Sequence, residues 1–454
     1  MITLELTVKD KTVVIKPKVA VINTAVCNDT LQHMESKADC TLVWDPNVFE
    51  TLVTEAKIPA VIKDNEKVLF TGIIQTDVSW RDIGRPYPVD TLSVTINDNT
   101  VLFDKKTKGE LALINSDLRT VVATLCEHCG VSLSATHGIL PAKAIQAFVA
   151  DEGKSYKQLL GDVLFSHGYS YYFDASGKLC VFNFAAEFDL NAVPKIDDTV
   201  LIGEVQIQKS NKHYTGVKIT YNTLTEKMNE LVYFSGNGYG STNEAQPAVI
   251  QPGVYYPFES APQTEVTEGQ VWQAFDAGYA ETYKKYNGEA DYRRSKKTSL
   301  LYTQNHHLVQ DWSAGIVIDR TMFGAKRASV RLQNKGTQDA KVYQLSIRAD
   351  AWYRNAEGSV TVGKDENPYG YQSEFIYNAL DAESLAKALS AFMCIGQYQI
   401  TTTSETALPL GVIQKIDCGI SGFSIAALAY SNSFDAEKAL WTTKWISASE
   451  PAID

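Results

Sequence analysis

In the first part of the chain, apolar side chains fall at every second position, in short runs broken by turn residues. This is the pattern of strands with one face buried. Leu4–Val8 and Thr12–Ile15 flank an Asp10-Lys11 turn, and Cys40–Trp44, Ile58–Ile62, Val68–Val78 and Leu92–Ile96 continue the series. Lys63-Asp64-Asn65-Glu66 suits a turn between two of these strands, and Asn47–Ala56 reads as a short helix. So many short strands predict a small barrel or sandwich over residues 1–104.

From about residue 105 the period changes to that of a helix. Leu118, Val122, Leu125 and Cys129 share one face, with Asn115 or Ser116 as the cap and Gly130 as the stop. Ser155 and Gln158 have the spacing of a capping box, followed by Tyr156, Leu159, Leu160, Val163 and Leu164 on one stripe and Gly168 at the end. Tyr169–Phe173 and Lys178–Phe182, joined through Asp174-Ala175-Ser176-Gly177, read as a hairpin. Residues 105–186 are therefore expected to form an α/β connector.

Strand patterns return at Val200–Gln208, Gly216–Tyr221 and Leu231–Phe234, and again at Ser329–Leu332 and Val342–Ala349. Between them Gly236–Pro262 reads as a long loop, and Trp272, Phe275, Tyr279, Tyr283 and Tyr286 recur at helical spacing. The buried face of a helix explains that stripe better than a carbohydrate platform does. A last helix, capped by Asp381, carries Leu385, Leu389 and Phe392 and stops at Gly396, before strands at Ile413–Asp417 and Ser424–Tyr430. There is no fixed-period repeat, although residues 1–104 and the later β segments are compatible with two diverged copies of one barrel.

The 454 residues carry a net charge of -11, which excludes wholesale wrapping of nucleic acid but suits a surface past which DNA slides. The opening Met1-Ile-Thr-Leu-Glu-Leu lacks the basic start and apolar block of a secretory signal, and no apolar run reaches the length of a membrane span. Seven scattered cysteines favour free thiols in a reducing cytoplasm over a disulfide framework.

Catalytic signatures are weak. Cys126-Glu127-His128-Cys129 lacks the second ligand pair of a zinc site, and Cys129 belongs to an apolar helix face. Gly236-Asn237-Gly238-Tyr239-Gly240 departs from the phosphate-loop spacing, and Gly419-Ile420-Ser421-Gly422-Phe423 lacks the closing glycine of a nucleophile elbow. His306 and His307 are adjacent and would face opposite ways in a strand. No catalytic, cofactor or metal residue is assigned, and the expectation is a protein that is not an enzyme. Arg293, Arg294, Lys296 and Lys297 form the dense basic run, read as a subunit or partner contact; the rival reading is a solvated strand edge.

Three neighbourhoods converge on one resemblance. Val68-Leu69-Phe70-Thr71-Gly72-Ile73-Ile74 with Leu92-Ser93-Val94-Thr95-Ile96-Asn97-Asp98 looks like the first barrel of bacteriophage tail hub proteins. The capped helix and the Gly168–Phe182 hairpin are similar to their connector. Asn367-Pro368-Tyr369-Gly370, the helix Asp381–Phe392 and Leu410-Gly411 resemble their C-terminal part.

The resemblance implies a mainly β chain with two tail-tube-like β-barrel domains: a first barrel at 1–104, the connector, and a second barrel at 187–235 and 311–362. An insertion at 236–310 and a C-terminal α+β region at 363–454 complete it. It further implies a homotrimeric hub of a tail tip or baseplate that joins a sixfold tube to a threefold spike. Its partners would be a tail tube or distal tail protein, a separate spike or tip protein and a tape-measure protein, with DNA only in transit. Assembly would occur in the host cytoplasm. The alternatives are the hub of a phage-tail-like bacteriocin or contractile injection system, and a tail-tip protein that binds or cleaves glycans.

Overall fold

The computed structural model describes the chain apart from residues 9–10, 44, 46, 49, 51, 53–54, 76–90, 109–110, 152, 190–191, 198, 210–213, 236–247, 254, 257–274, 277–278, 281–294, 297–299, 326, 356–357, 396–397, 419–421 and 454. The protein is mainly β, with three α-helices among the described elements: α1 (Leu118–Cys129), α2 (Tyr156–Ser166) and α3 (Ala379–Met393).

The alternation at the N-terminus produces the expected strands, and Val19–Ala25, which the sequence reading missed, joins them. In hydrogen-bonded order they are Val19–Ala25, Lys37–Val43, Thr91–Asn97, Lys67–Gln75, Lys57–Asp64, Ile2–Val8 and Lys11–Ile15, each antiparallel to the next. Every second residue faces one core, as with Leu4 and Leu6 or Ile58, Ala60 and Ile62. Val48 and Leu52, from the segment read as a short helix, cover the same core.

Of the small barrel or sandwich expected here, the strand path among the described residues is open and does not close into a barrel. The physical reason is that Val19–Ala25 has its outer side occupied by Phe423–Asp435, so Lys11–Ile15 stays at the far edge.

Phe423–Asp435 is the bridging strand of the molecule. Its C-terminal half pairs with Val19–Ala25, its N-terminal half pairs with Ile413–Cys418, and Leu440–Ser447 lies along it. Tyr398–Ser404 and then Gln206–Lys209 extend the sheet, which reaches 14 strands. A strand buried on both faces needs a nearly unbroken apolar run, and Ser424–Tyr430 is such a run. Ile425, Ala427 and Ala429 face a core with Trp445 and Ile400, whereas Leu428 and Tyr430 face one built on α3. Phe434 packs against the N-terminal core.

The connector matches its expectation in kind, with corrections at the caps. Its core contains Val122, Leu125 and Cys129 of α1 and Leu160, Val163 and Leu164 of α2, closed by Tyr169 and Tyr171 of the hairpin. The cap of α1 is Asp117, whose Oδ1 accepts from the Thr120 amide at 2.9 Å. Asn115 and Ser116 lie instead in the strand Leu111–Asp117. Ser155 occupies the cap position of α2 but makes no side-chain cap bond; its backbone bridges to Lys106. Asn378, not Asp381, caps α3: Asn378 Oδ1 accepts from the Asp381 amide at 2.8 Å, and its Nδ2 donates to Asp381 Oδ2 at 2.7 Å.

The segments assigned to a second barrel fall in more than one sheet. Gly216–Tyr221 pairs antiparallel with Gly358–Gly363 and parallel with Pro368–Gln372, and α3 packs on this small sheet through Leu385 and Leu389. The chain therefore leaves the sheet after Tyr221 and returns at Gly358. The excursion between includes the segments assigned to a second barrel, 187–235 in its later part and 311–362 in its earlier part. Leu224–Ser235, Ala248–Ile250 and Leu300–Trp312 all pair with the long strand Ala340–Arg354, and Ile316–Phe323 pairs with Arg327–Asn334. Within 363–454, expected as a C-terminal α+β region, Tyr398–Ser404 pairs with Gln206–Lys209 of the segment assigned to the second barrel.

The aromatic stripe is not helical where it is described: Phe275–Asp276 pairs with Ala328 and Arg327, and Tyr279–Ala280 pairs with Lys296 and Ser295. Aromatic residues are strong strand formers, and long-range partners outweigh a fortuitous helical spacing.

Candidate functional site

Two sheet edges are the best candidates for assembly. Gln206–Lys209 ends one side of the large sheet and is exposed along its length, including Ile207 at 39%. Lys11–Ile15 ends the other side, with Val14 at 61% exposure. Among the described residues neither has a strand partner on its outer side. Such an edge presents a row of amide and carbonyl groups, a template on which another chain can add a strand. Lys11 and Lys209 give each edge a positive charge that discourages unspecific pairing.

The residues singled out by sequence are scattered. Arg293, Arg294 and Lys297 lie outside the described residues; the Lys296 backbone pairs with Tyr279 in a two-residue strand. Cys126 and Cys129 are buried in the connector core, and burial pushes their thiols up to about 12 and about 11, which opposes the thiolate form a metal would need. Among the described residues no group of three His, Cys, Asp or Glu is disposed to hold a metal ion.

His306 stacks on Phe323 with centroids 4.6 Å apart, its Nε2 lying 2.7 Å from the Thr303 hydroxyl, while His307 sits opposite Arg348 in the sheet. The Gly236–Gly240 segment and residues 419–421 lie outside the described residues. The edges themselves escaped the sequence reading, because exposure of a backbone row depends on which strands find partners.

No family model matches the chain, and no curated protein matches it. Solved structures do resemble it along nearly its whole length. The chain is similar to prophage tail proteins. The prophage MuSo2 43 kDa tail protein from Shewanella oneidensis is 12% identical, with a TM-score of 0.49 over 98% of both chains. The tail protein from Neisseria meningitidis MC58 is 8% identical, with a TM-score of 0.49 over 98% of this chain and 96% of the other. Prophage tail protein gp18 from Listeria monocytogenes EGD-e is 7% identical, with a TM-score of 0.46 over 98% and 94%.

Proposed function

We propose that this protein is the structural hub of a phage tail tip or baseplate, a homotrimer around a central channel. The observation that carries the reading is the pairing of Ala25 with Ser431, which fuses the N-terminal and C-terminal strands into one sheet with an open edge at each end. Each copy thereby offers two β units side by side. Three copies joined edge to edge would present six, the number needed to meet a sixfold tube on one side and a threefold spike on the other. The role is structural rather than catalytic. Tube or distal tail protein, spike or tip protein and tape-measure protein are its partners, and an acidic channel lets DNA pass without sticking. Arg293, Arg294, Lys296 and Lys297 serve a subunit or partner contact.

The test uses Val14→Glu and Ile207→Glu. Both side chains are exposed, so the monomer is expected to stay folded while incorporation into particles fails. Imaging of particles with labelled subunits is expected to find three copies on the tail axis. Normal incorporation of both variants, or any other copy number, would overturn the proposal.

A further inference from the structure

A cavity of about 240 Å³ opens where three parts of the chain meet: the segment after Val19–Ala25, α2 with the hairpin, and the Pro368–Gln372 strand. It is smaller than an ordinary small-molecule site, so it suits one functional group rather than a large ligand. Its walls are aromatic. His33 and Tyr171 lie stacked at 3.7 Å, and Phe165 meets Tyr371 edge-on at 4.8 Å, with Tyr169 alongside.

The charges on the lining leave one imbalance. Lys157 lines the cavity, but its ammonium is ion-paired with Glu35. His33 is neutral at ordinary pH, since burial holds it down to about 4. Asp162 lines the cavity too, and among the described residues it makes no ion pair; the Gln158 side chain gives it a hydrogen bond. Burial first, and then the charge of Glu374, raise its pKa, while Lys154 acts the other way. A carboxylate without an ion pair in a cavity lined by aromatic residues is the chemistry that attracts an organic cation, because ring faces and carboxylate both favour positive charge. An anion meets repulsion there, and a neutral group leaves the carboxylate uncompensated.

We propose that this junction cavity binds a single guanidinium or ammonium group, carried either by a free cation or by the tip of a basic side chain from a partner protein. Occupancy would brace the three parts of the chain against one another, since a ligand that binds only the folded arrangement stabilises it. Binding here is independent of the ring proposed above and is measured on isolated full-length protein.

Calorimetric titration with butylguanidinium, and with neutral butylurea of similar shape, tests the site. Saturable binding of butylguanidinium is expected, with butylurea weaker by about tenfold or more. Asp162→Asn should weaken the cation by a similar factor and leave butylurea unchanged, and Glu374→Gln, at an exposed position, should weaken it less. An acetylated Gly-Arg-Gly amide that competes with butylguanidinium would assign the cation to a partner's side chain. Failure of the peptide to compete, with the small cation still bound, would assign it to a free molecule. Equal binding of butylurea and butylguanidinium overturns the proposal. So does an Asp162→Asn variant of normal melting temperature with unchanged cation affinity, or a folded wild-type protein that binds no butylguanidinium.

Discussion

His33 lies flat against Tyr171, with ring centroids 3.7 Å apart and planes 8° from parallel. Its Nδ1 is 2.6 Å from the Tyr171 carbonyl, which can only accept, so Nδ1 carries the hydrogen. Nε2, 3.2 Å from the Thr100 hydroxyl, is then the acceptor. The ring is thus used in its neutral form to tie the N-terminal strands to the connector hairpin.

Acid should loosen that tie. Burial lowers His33, and likewise His167, from 6.5 to about 4. The unfolded chain therefore takes up protons first as pH falls, so the stability these rings contribute is present above about pH 6.5 and is lost on the way down to about pH 4. Denaturant melts at pH 7.5 and pH 5 are expected to show a lower midpoint at pH 5. The difference should shrink in His167→Gln.

Cap and core substitutions should separate cleanly. Leu160 is fully buried, and Leu160→Ala is expected to cost about 2–5 kcal/mol. Asn378→Ala removes a side chain that caps α3 and should cost about 1 kcal/mol. Ser155→Ala removes no cap bond and should fall within about 0.5 kcal/mol of wild type in the same melts.

Gly72 admits no side chain. A Cβ there would lie 2.1 Å from the Asn97 carbonyl oxygen, backbone that cannot move without disturbing the sheet. Gly72→Ala is expected to destabilise by about 1–3 kcal/mol, read as a lower unfolding midpoint.

Asn432 holds the bridging strand to its neighbours. It is buried, donates to the Leu408 carbonyl at 2.7 Å and accepts from the Thr443 hydroxyl at 2.7 Å. Asn432→Leu leaves both partners unpaired and should cost about 2 kcal/mol or more. Because Thr443 shares the loss, adding Thr443→Val should cost less than the sum of the two single changes, which a double-mutant cycle would measure.

Much of the local structure was legible. Period-two alternation located the N-terminal strands other than Val19–Ala25, and helical spacing located α1, α2 and α3 with the right faces inward, as Leu385, Leu389 and Phe392 illustrate. Gly130 and Gly168, both at positive φ, end their helices as their lack of a Cβ permits. The caps slipped by one to three residues, because Asn115, Ser116, Asp117, Asn378 and Asp381 are all competent cap residues and only the backbone path chooses among them. At Phe275 and Tyr279, the described members of the aromatic stripe, helical spacing misled, since aromatic residues fit a strand as readily once a partner strand is available.

By itself, then, the sequence determined the character of most segments in the N-terminal part and the connector, which residues of the three helices face inward, and that the chain is mainly β. These are local matters, decided by side-chain period and by backbone preferences a few residues long. Only the tertiary structure decided which strand lies beside which. Ala25 pairs with Ser431, Gly216 pairs with Gly363, and the described strands between Leu224 and Arg354 pair outside that small sheet. The reason is that strand pairing is made by backbone amides and carbonyls common to nearly every residue, so a partner is selected by how whole cores close and not by a signal carried in either strand.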